Sequence, residues 1–311
     1  MSGRSSTRPT TRRTAIRSSS RRRAASASSE TADDRERAAA KAGGEKTSRR
    51  HDERRDAMDD QTKQDFFAYL LRLGDDRLIL GHRVSEWCGH GPILEEDIAL
   101  SNIALDLLGQ ANLLLQLAGE VEGQGRDQDA LAYFREATQF RNALLCETPN
   151  GDFGDTIVRQ FLFSAHALHV LEQLQRGAHE TLAGIAAKAY KETRYHVRHS
   201  GEWMIRLGDG TEESHRRVQA SLDRAWRYTG ELFVGDDVER RLVAQGLAVD
   251  PASVREAWRA QVREVVEVAT LTLPADGYMQ QGGRVGKHTE HLGHLLAEMQ
   301  IVARSFPGAK W

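Results

Sequence analysis

Cysteine is almost missing from this chain of 311 residues: Cys88 and Cys146 are the only two, and no CxxC pair occurs. A disulfide framework and a thiolate zinc site therefore lack their ligands, and a reducing, cytoplasmic setting is expected. Long apolar runs are missing too. No stretch reaches the roughly 18 consecutive apolar residues that a spanning helix needs, and the leader has no apolar core of a secretory signal, so neither a membrane nor export is expected. Acidic residues are absent from the first 29 positions, which hold 8 Arg and 13 Ser or Thr. Through Ala57 the count is 16 basic against 8 acidic side chains, or +8, while the remainder carries 27 against 37, or −10. The formal total of −2 averages two unlike pieces.

Residues 1–57 contain almost nothing apolar beyond alanine, with Ile16 the lone aliphatic, so they cannot offset the entropy of ordering. They read as a disordered Arg/Ser-rich extension. An acid-poor, Arg-rich leader also fits a transit peptide or a nucleic-acid-binding arm, but aromatics for base stacking are not interleaved, and no nucleic-acid partner is expected. Met58 stands where the character changes and is a candidate natural start, which divides the chain into 1–57 and a helical domain, 58–311.

From Phe66 the apolar positions recur at helical spacing through Tyr69, Leu70, Leu73, Leu80 and Val84. Cys88–Pro92 (CGHGP) breaks that helix, and a second runs from Ile93 through Ile103 and Leu114 to about Gly119. A third helix is expected over Asp127–Cys146, ended by ETPNGDFGD. A second long hairpin follows, with Asp155 as N-cap of a helix to Gln175 and its partner over Glu180–Leu207. Further helices are expected at 211–233, 236–246, 252–272 and 288–305. The fold class is all-α: two long hairpins in a four-helix core with additional packed helices.

Two long hairpins raise the possibility of a di-metal carboxylate centre, which takes one carboxylate from the first helix of each hairpin and Glu-x-x-His from the second. Level residues of an antiparallel hairpin have a nearly constant index sum, here about 182 from a loop centred at Gly91. That rule pairs Asp106 with Asp76, but position i+3 is Gly109. In the second hairpin Glu192 is followed at i+3 by Tyr195, and its level partners are Phe163 and Ser164. Three carboxylates of four and no histidine of two leave the set too poor to hold metal, and the expectation is a vestigial site in which Asp76, Asp106, Glu192 and Tyr195 form a buried network with a cation such as Lys188. The alternative is an independent metal-binding oxidoreductase built on His166, His169, His196 and His199, each pair three apart on its helix. His288, His291, His294 and Glu298 lie on one helix face and read as an interface rather than a zinc motif.

The segments LRLGDDRLILGHRVSEWCGHGP (71–92), LSNIALDLLGQANLLL (100–115), ETPNGDFGDTIVRQF (147–161), KETRYHVRHSGEWMIRLGDGT (191–211) and KHTEHLGHLLAEMQ (287–300) resemble the C-subunit family of the ring-1,2-phenylacetyl-CoA epoxidases. The resemblance covers Leu71–Trp311. It implies a ferritin-like fold and a non-catalytic subunit of the multicomponent monooxygenase of aerobic phenylacetate degradation. It further implies a catalytic partner subunit holding the di-iron centre, a small connecting subunit, and a reductase with FAD and an iron–sulfur cluster, with no cofactor on this chain. Gly109 and Tyr195 stand where the family fold would place metal-binding histidines. Two surfaces are candidates for acyl-CoA contact: the helix start Glu95, Glu96, Asp97 and Ile98, where the acids oppose phosphate, and Arg240 with Arg241.

Overall fold

A computed structural model describes residues 58–309, so the expectation for the leader lies outside the described residues. Asp59 starts the first helix, α1 (Asp60–Ser85), by accepting a hydrogen bond from the Thr62 amide at 2.8 Å. The turn from Glu86 to Ile93 leads into α2 (Leu94–Glu122), which ends on Gly123 in the left-handed conformation, φ 70°. The second hairpin is α5 (Phe153–Leu174) and α6 (Glu180–Gly208). Its N-cap is Asp152 rather than the expected Asp155, which instead closes a reciprocal capping box three residues on. The two hairpins meet along α2 and α6. Phe66, Leu70, Ile79, Ile103, Leu115 and Phe161 are fully buried between them.

Gly74 and Gly81 let α1 and α2 approach closely: a Cβ at Gly74 would stand 2.8 Å from Leu115, and one at Gly81 3.2 Å from Leu108. These neighbours set the register. Level indices sum to about 188 rather than 182, which puts Asp76 at the height of Asn112 and Asp106 at the height of His82. The expected Asp76–Asp106 pairing is thereby overturned. The shift also means that the first two turns of α2 run past the end of α1.

The expected helix over 127–146 is three pieces: α3 (Gln128–Tyr133), a 3-10 turn at Ala137–Gln139, and α4 (Leu144–Glu147). The reason is non-local. Asp75 accepts the Arg141 amide at 2.8 Å, Asp76 the Ala143 amide at 2.7 Å and Glu231 the Leu144 amide at 2.9 Å, so donors that a helix would use are claimed by buried carboxylates. The outer layer continues with α7 (Glu212–Trp226), a 3-10 turn at Gly230–Phe233, α8 (Asp237–Val243), α9 (Arg255–Val268) and α10 (Glu290–Ser305). The Trp258 indole of α9 donates to the Leu162 carbonyl of α5 at 3.0 Å and stacks on Trp226 of α7, tying this layer to the bundle. No strand occurs among the described residues. Among them α2 alone is long and apolar enough to cross a membrane, and half of its most apolar stretch is buried within the bundle.

Candidate functional site

The middle of the bundle is where two carboxylate helices could grip metals, and a guanidinium occupies it. Arg77 on α1, 2% exposed, donates through Nε to the Gln110 side chain at 3.0 Å and through Nη1 to the Leu73 carbonyl at 2.9 Å. Gln110 on α2 passes the contact on, its amide donating to Glu192 of α6 at 2.9 Å. One charged hydrogen-bonded chain thus crosses three helices. Burial depresses the Arg77 pKa, with the Asp76 charge opposing the depression, and the group remains a cation at neutral pH.

Asp76 does not join this chain. Both its oxygens face Arg284, at 2.8 Å each, and one also takes the Ala143 amide. Burial works against the Arg284 charge, but the Asp76 carboxylate outweighs it and raises the pKa. Next to it, Asp75 forms a buried bidentate pair with Arg135, whose guanidinium lies 4.2 Å from the Phe140 ring centroid. The tandem acids of α1 therefore clamp distant loops, a role with large consequences if one partner is removed.

The vestigial positions are dispersed. Asp76 and Phe163 share a small cavity of about 40 Å³ between α1 and α5, together with Arg72, Arg77, His166 and Arg284. Asp106 and Glu192 lie instead on the seam of α2 and α6, where Asp106 bonds His196 Nε2 at 3.0 Å. Lys188 does face Glu192, at 3.6 Å, but from an exposed position. Gly109 is on the outer side of α2, where a Cβ would meet nothing within 4 Å, and Tyr195 is 39% exposed. The expected single buried network is thus corrected to three separate assemblies.

The histidines do not converge either. His166 points into the α1–α5 cavity with both ring nitrogens unpartnered, and its ring lies edge-on to Phe233. Burial and the nearby Arg284 and Arg77 charges push its pKa down to about 3. His169 turns to Gln261 at 3.0 Å, and His199 bonds Glu96 at 2.8 Å. No group of three or more metal-binding side chains forms among the described residues. The His288 side chain turns inward, buried against Glu147 at 2.7 Å and the Phe140 carbonyl at 3.1 Å, rather than joining an outward helix face. Burial opposes its protonation, but the Glu147 carboxylate outweighs that and raises its pKa. His291 is half-buried, while His294 and Glu298 are exposed on α10.

A di-iron centre fails the fit to this chain. Of the side chains at the bundle axis, Asp76 is saturated by Arg284 and a backbone amide, Gln110 offers an amide where a carboxylate is needed, and Arg77 places a positive charge among them. Adding divalent cations beside a fixed guanidinium is electrostatically unfavourable. Sequence reasoning missed Arg77 and Gln110, although the charged Asp75-Asp76-Arg77 inside an apolar run is a recognisable sign of buried ion pairing.

The surface candidates for acyl-CoA also change. Arg241 is held bidentately by Asp65, at 2.6 and 2.8 Å, and Arg240 pairs with Asp237. Glu96 is buried with His199, and Asp97 accepts the Gly91 amide at 3.0 Å. Glu95 and Ile98 remain exposed. Around Ile98 the overhanging end of α2 shows a different property: Ile93, Leu94, Ile98 and Leu105 are 52%, 72%, 52% and 67% exposed. Leu94, Ile98 and Leu105 follow helical spacing and make an exposed apolar stripe along α2.

The profile of the family described as phenylacetic acid catabolic proteins matches residues 44–311, beginning upstream of Leu71. The C-subunit of 1,2-phenylacetyl-CoA epoxidase from Escherichia coli strain K12 is 48% identical over 244 residues, which is 78% of this chain and 98% of the relative.

Proposed function

The chain belongs to the phenylacetic acid catabolic protein family, whose fold is ferritin-like, and from that membership we propose that it is the structural, non-catalytic subunit of a multicomponent di-iron monooxygenase that epoxidises the ring of phenylacetyl-CoA. The observation that carries this reading is Arg77, buried at the bundle centre and hydrogen-bonded through Gln110 to Glu192. It supplies from the protein itself the positive charge that metals supply in a catalytic bundle, so the helices hold together with no ion to bind. In this proposal the di-iron centre and the oxygen insertion belong to the catalytic partner. A small connecting subunit completes the oxygenase, a reductase with FAD and an iron–sulfur cluster supplies electrons, and the assembly works in the cytoplasm.

What this chain contributes is rigidity and a face. The clamps of Asp75 and Asp76 fix the loops around α1, and the apolar stripe of Leu94, Ile98 and Leu105 gives a partner helix an anchoring surface. Each of those aliphatic side chains contributes roughly 1.5–3 kcal/mol when buried. The reading is tested by co-expression with the catalytic partner. A complex that survives gel filtration is expected, and a chain that elutes by itself beside a fully active catalytic partner would overturn the assignment.

A further inference from the structure

A groove of about 510 Å³ opens between the start of α5, the end of α7 and the first turn of α10, lined by none of the residues of the Arg77 chain or of the apolar stripe of α2. Its walls carry Arg159, Arg224 and Arg227 against one carboxylate, Asp155, with Tyr228 and His291 at the sides. Arg224 is exposed and meets Asp155 at 2.6 Å. Arg227 is exposed and makes no ion pair among the described residues.

Arg159 is the unusual member. It is 1% exposed, its two terminal nitrogens donate to the Thr148 carbonyl and the Asn150 side-chain oxygen at 2.5 Å each, and its Nε has no partner. No carboxylate neutralises it directly. Burial, reinforced by the Arg83 charge, lowers its pKa to about 10, which leaves it protonated at neutral pH. Arg83 adds to that positive field, offset in part by its own partner Glu86 at 2.9 Å. A fixed charge sealed beneath a groove is screened less than one in water, so the floor is positive and the two exposed guanidiniums above it can close on an anion.

We propose that this groove binds a phosphorylated small molecule of nucleotide size, its phosphates held by Arg224 and Arg227 over Arg159 and its remaining body against Tyr228. The excess of two positive charges on the walls matches a phosphate group, and the volume is in the range of small-ligand sites, well beyond what phosphate alone needs. The site requires only this chain, so it stands or falls separately from the oxygenase assignment.

Calorimetric titration of the full chain with inorganic pyrophosphate and with ADP tests it. Both probes are expected to bind at one site in a salt-dependent way, with ADP tighter because Tyr228 contacts the nucleoside. Arg224→Ala with Arg227→Ala should weaken both by about tenfold or more, as expected for lost charge-assisted hydrogen bonds. An unchanged melting temperature would show that the fold is intact. Tyr228→Ala should weaken ADP and spare pyrophosphate. The proposal is overturned if neither probe binds, if the double variant binds ADP and pyrophosphate as the parent does, or if the groove captures only an acidic peptide.

Discussion

Acid should destabilise this protein through one residue in particular, His166. In the folded chain its ring is sealed in the cavity between α1 and α5, and its pKa is about 3 against 6.5 for a free histidine. The unfolded chain therefore binds a proton that the folded chain refuses. Stability must rise with pH across that interval and fall as the pH drops from 6.5 toward 3. At pH 5 the cost relative to pH 7 is about 2 kcal/mol for this single group, which for a domain of this size corresponds to roughly 4–8 °C in melting temperature. Other groups titrate in the same range, so the readout is a difference. His166→Leu keeps the volume near that of the imidazole and removes the titration. Urea unfolding of both proteins at pH 7 and pH 5 should show the variant losing about 2 kcal/mol less than the parent on acidification. Parallel losses would refute the assignment of a neutral, sealed His166.

Removing one partner of the buried Asp76–Arg284 pair, as in Asp76→Ala, should cost about 3–5 kcal/mol in chemical denaturation, because Arg284 and the Ala143 amide are left unmatched. For His288 the sign is opposite to that of His166. Its folded pKa is raised, so its stabilisation is complete below pH 6.5 and fades as the pH rises through the raised value, and His288→Gln should flatten that part of the stability profile measured by urea unfolding. Asp106→Ala should lower stability by about 1 kcal/mol by unpairing His196, while turnover per assembled oxygenase stays unchanged, as measured in reconstituted complexes. Leu105→Glu with Ile98→Glu should leave the melting temperature within a few degrees of the parent and abolish co-elution with the catalytic partner.

The long helices were legible because their information is local. Apolar spacing from Phe66, the break at Cys88–Pro92 and the Gly208–Gly210 stop mark α1, α2 and the end of α6 within a few residues. The segment 127–146 was not, because the carboxylates that unwind it sit on α1 and at Glu231, more than 60 residues away in each direction. Hairpin register was missed for a related reason. An eight-residue connection need not be symmetric, and Gly74 and Gly81 set the sliding position of α2 by steric fit rather than by loop midpoint. Gly109 and Tyr195, the positions that the sequence suggested for lost ligands, lie on the outer side of α2 and at an exposed place on α6. The Asp76–Arg284 pair had no local signature, since Arg284 reaches Asp76 from more than 200 residues along the chain.

The claim that Arg77 has taken the role of a metal cation is tested most directly by iron analysis of the purified chain after anaerobic loading with ferrous ions and gel filtration. Iron well below one equivalent per chain is predicted, unchanged between the parent and a Glu192→Ala variant. Two tightly retained irons per chain, lost on that substitution, would contradict it.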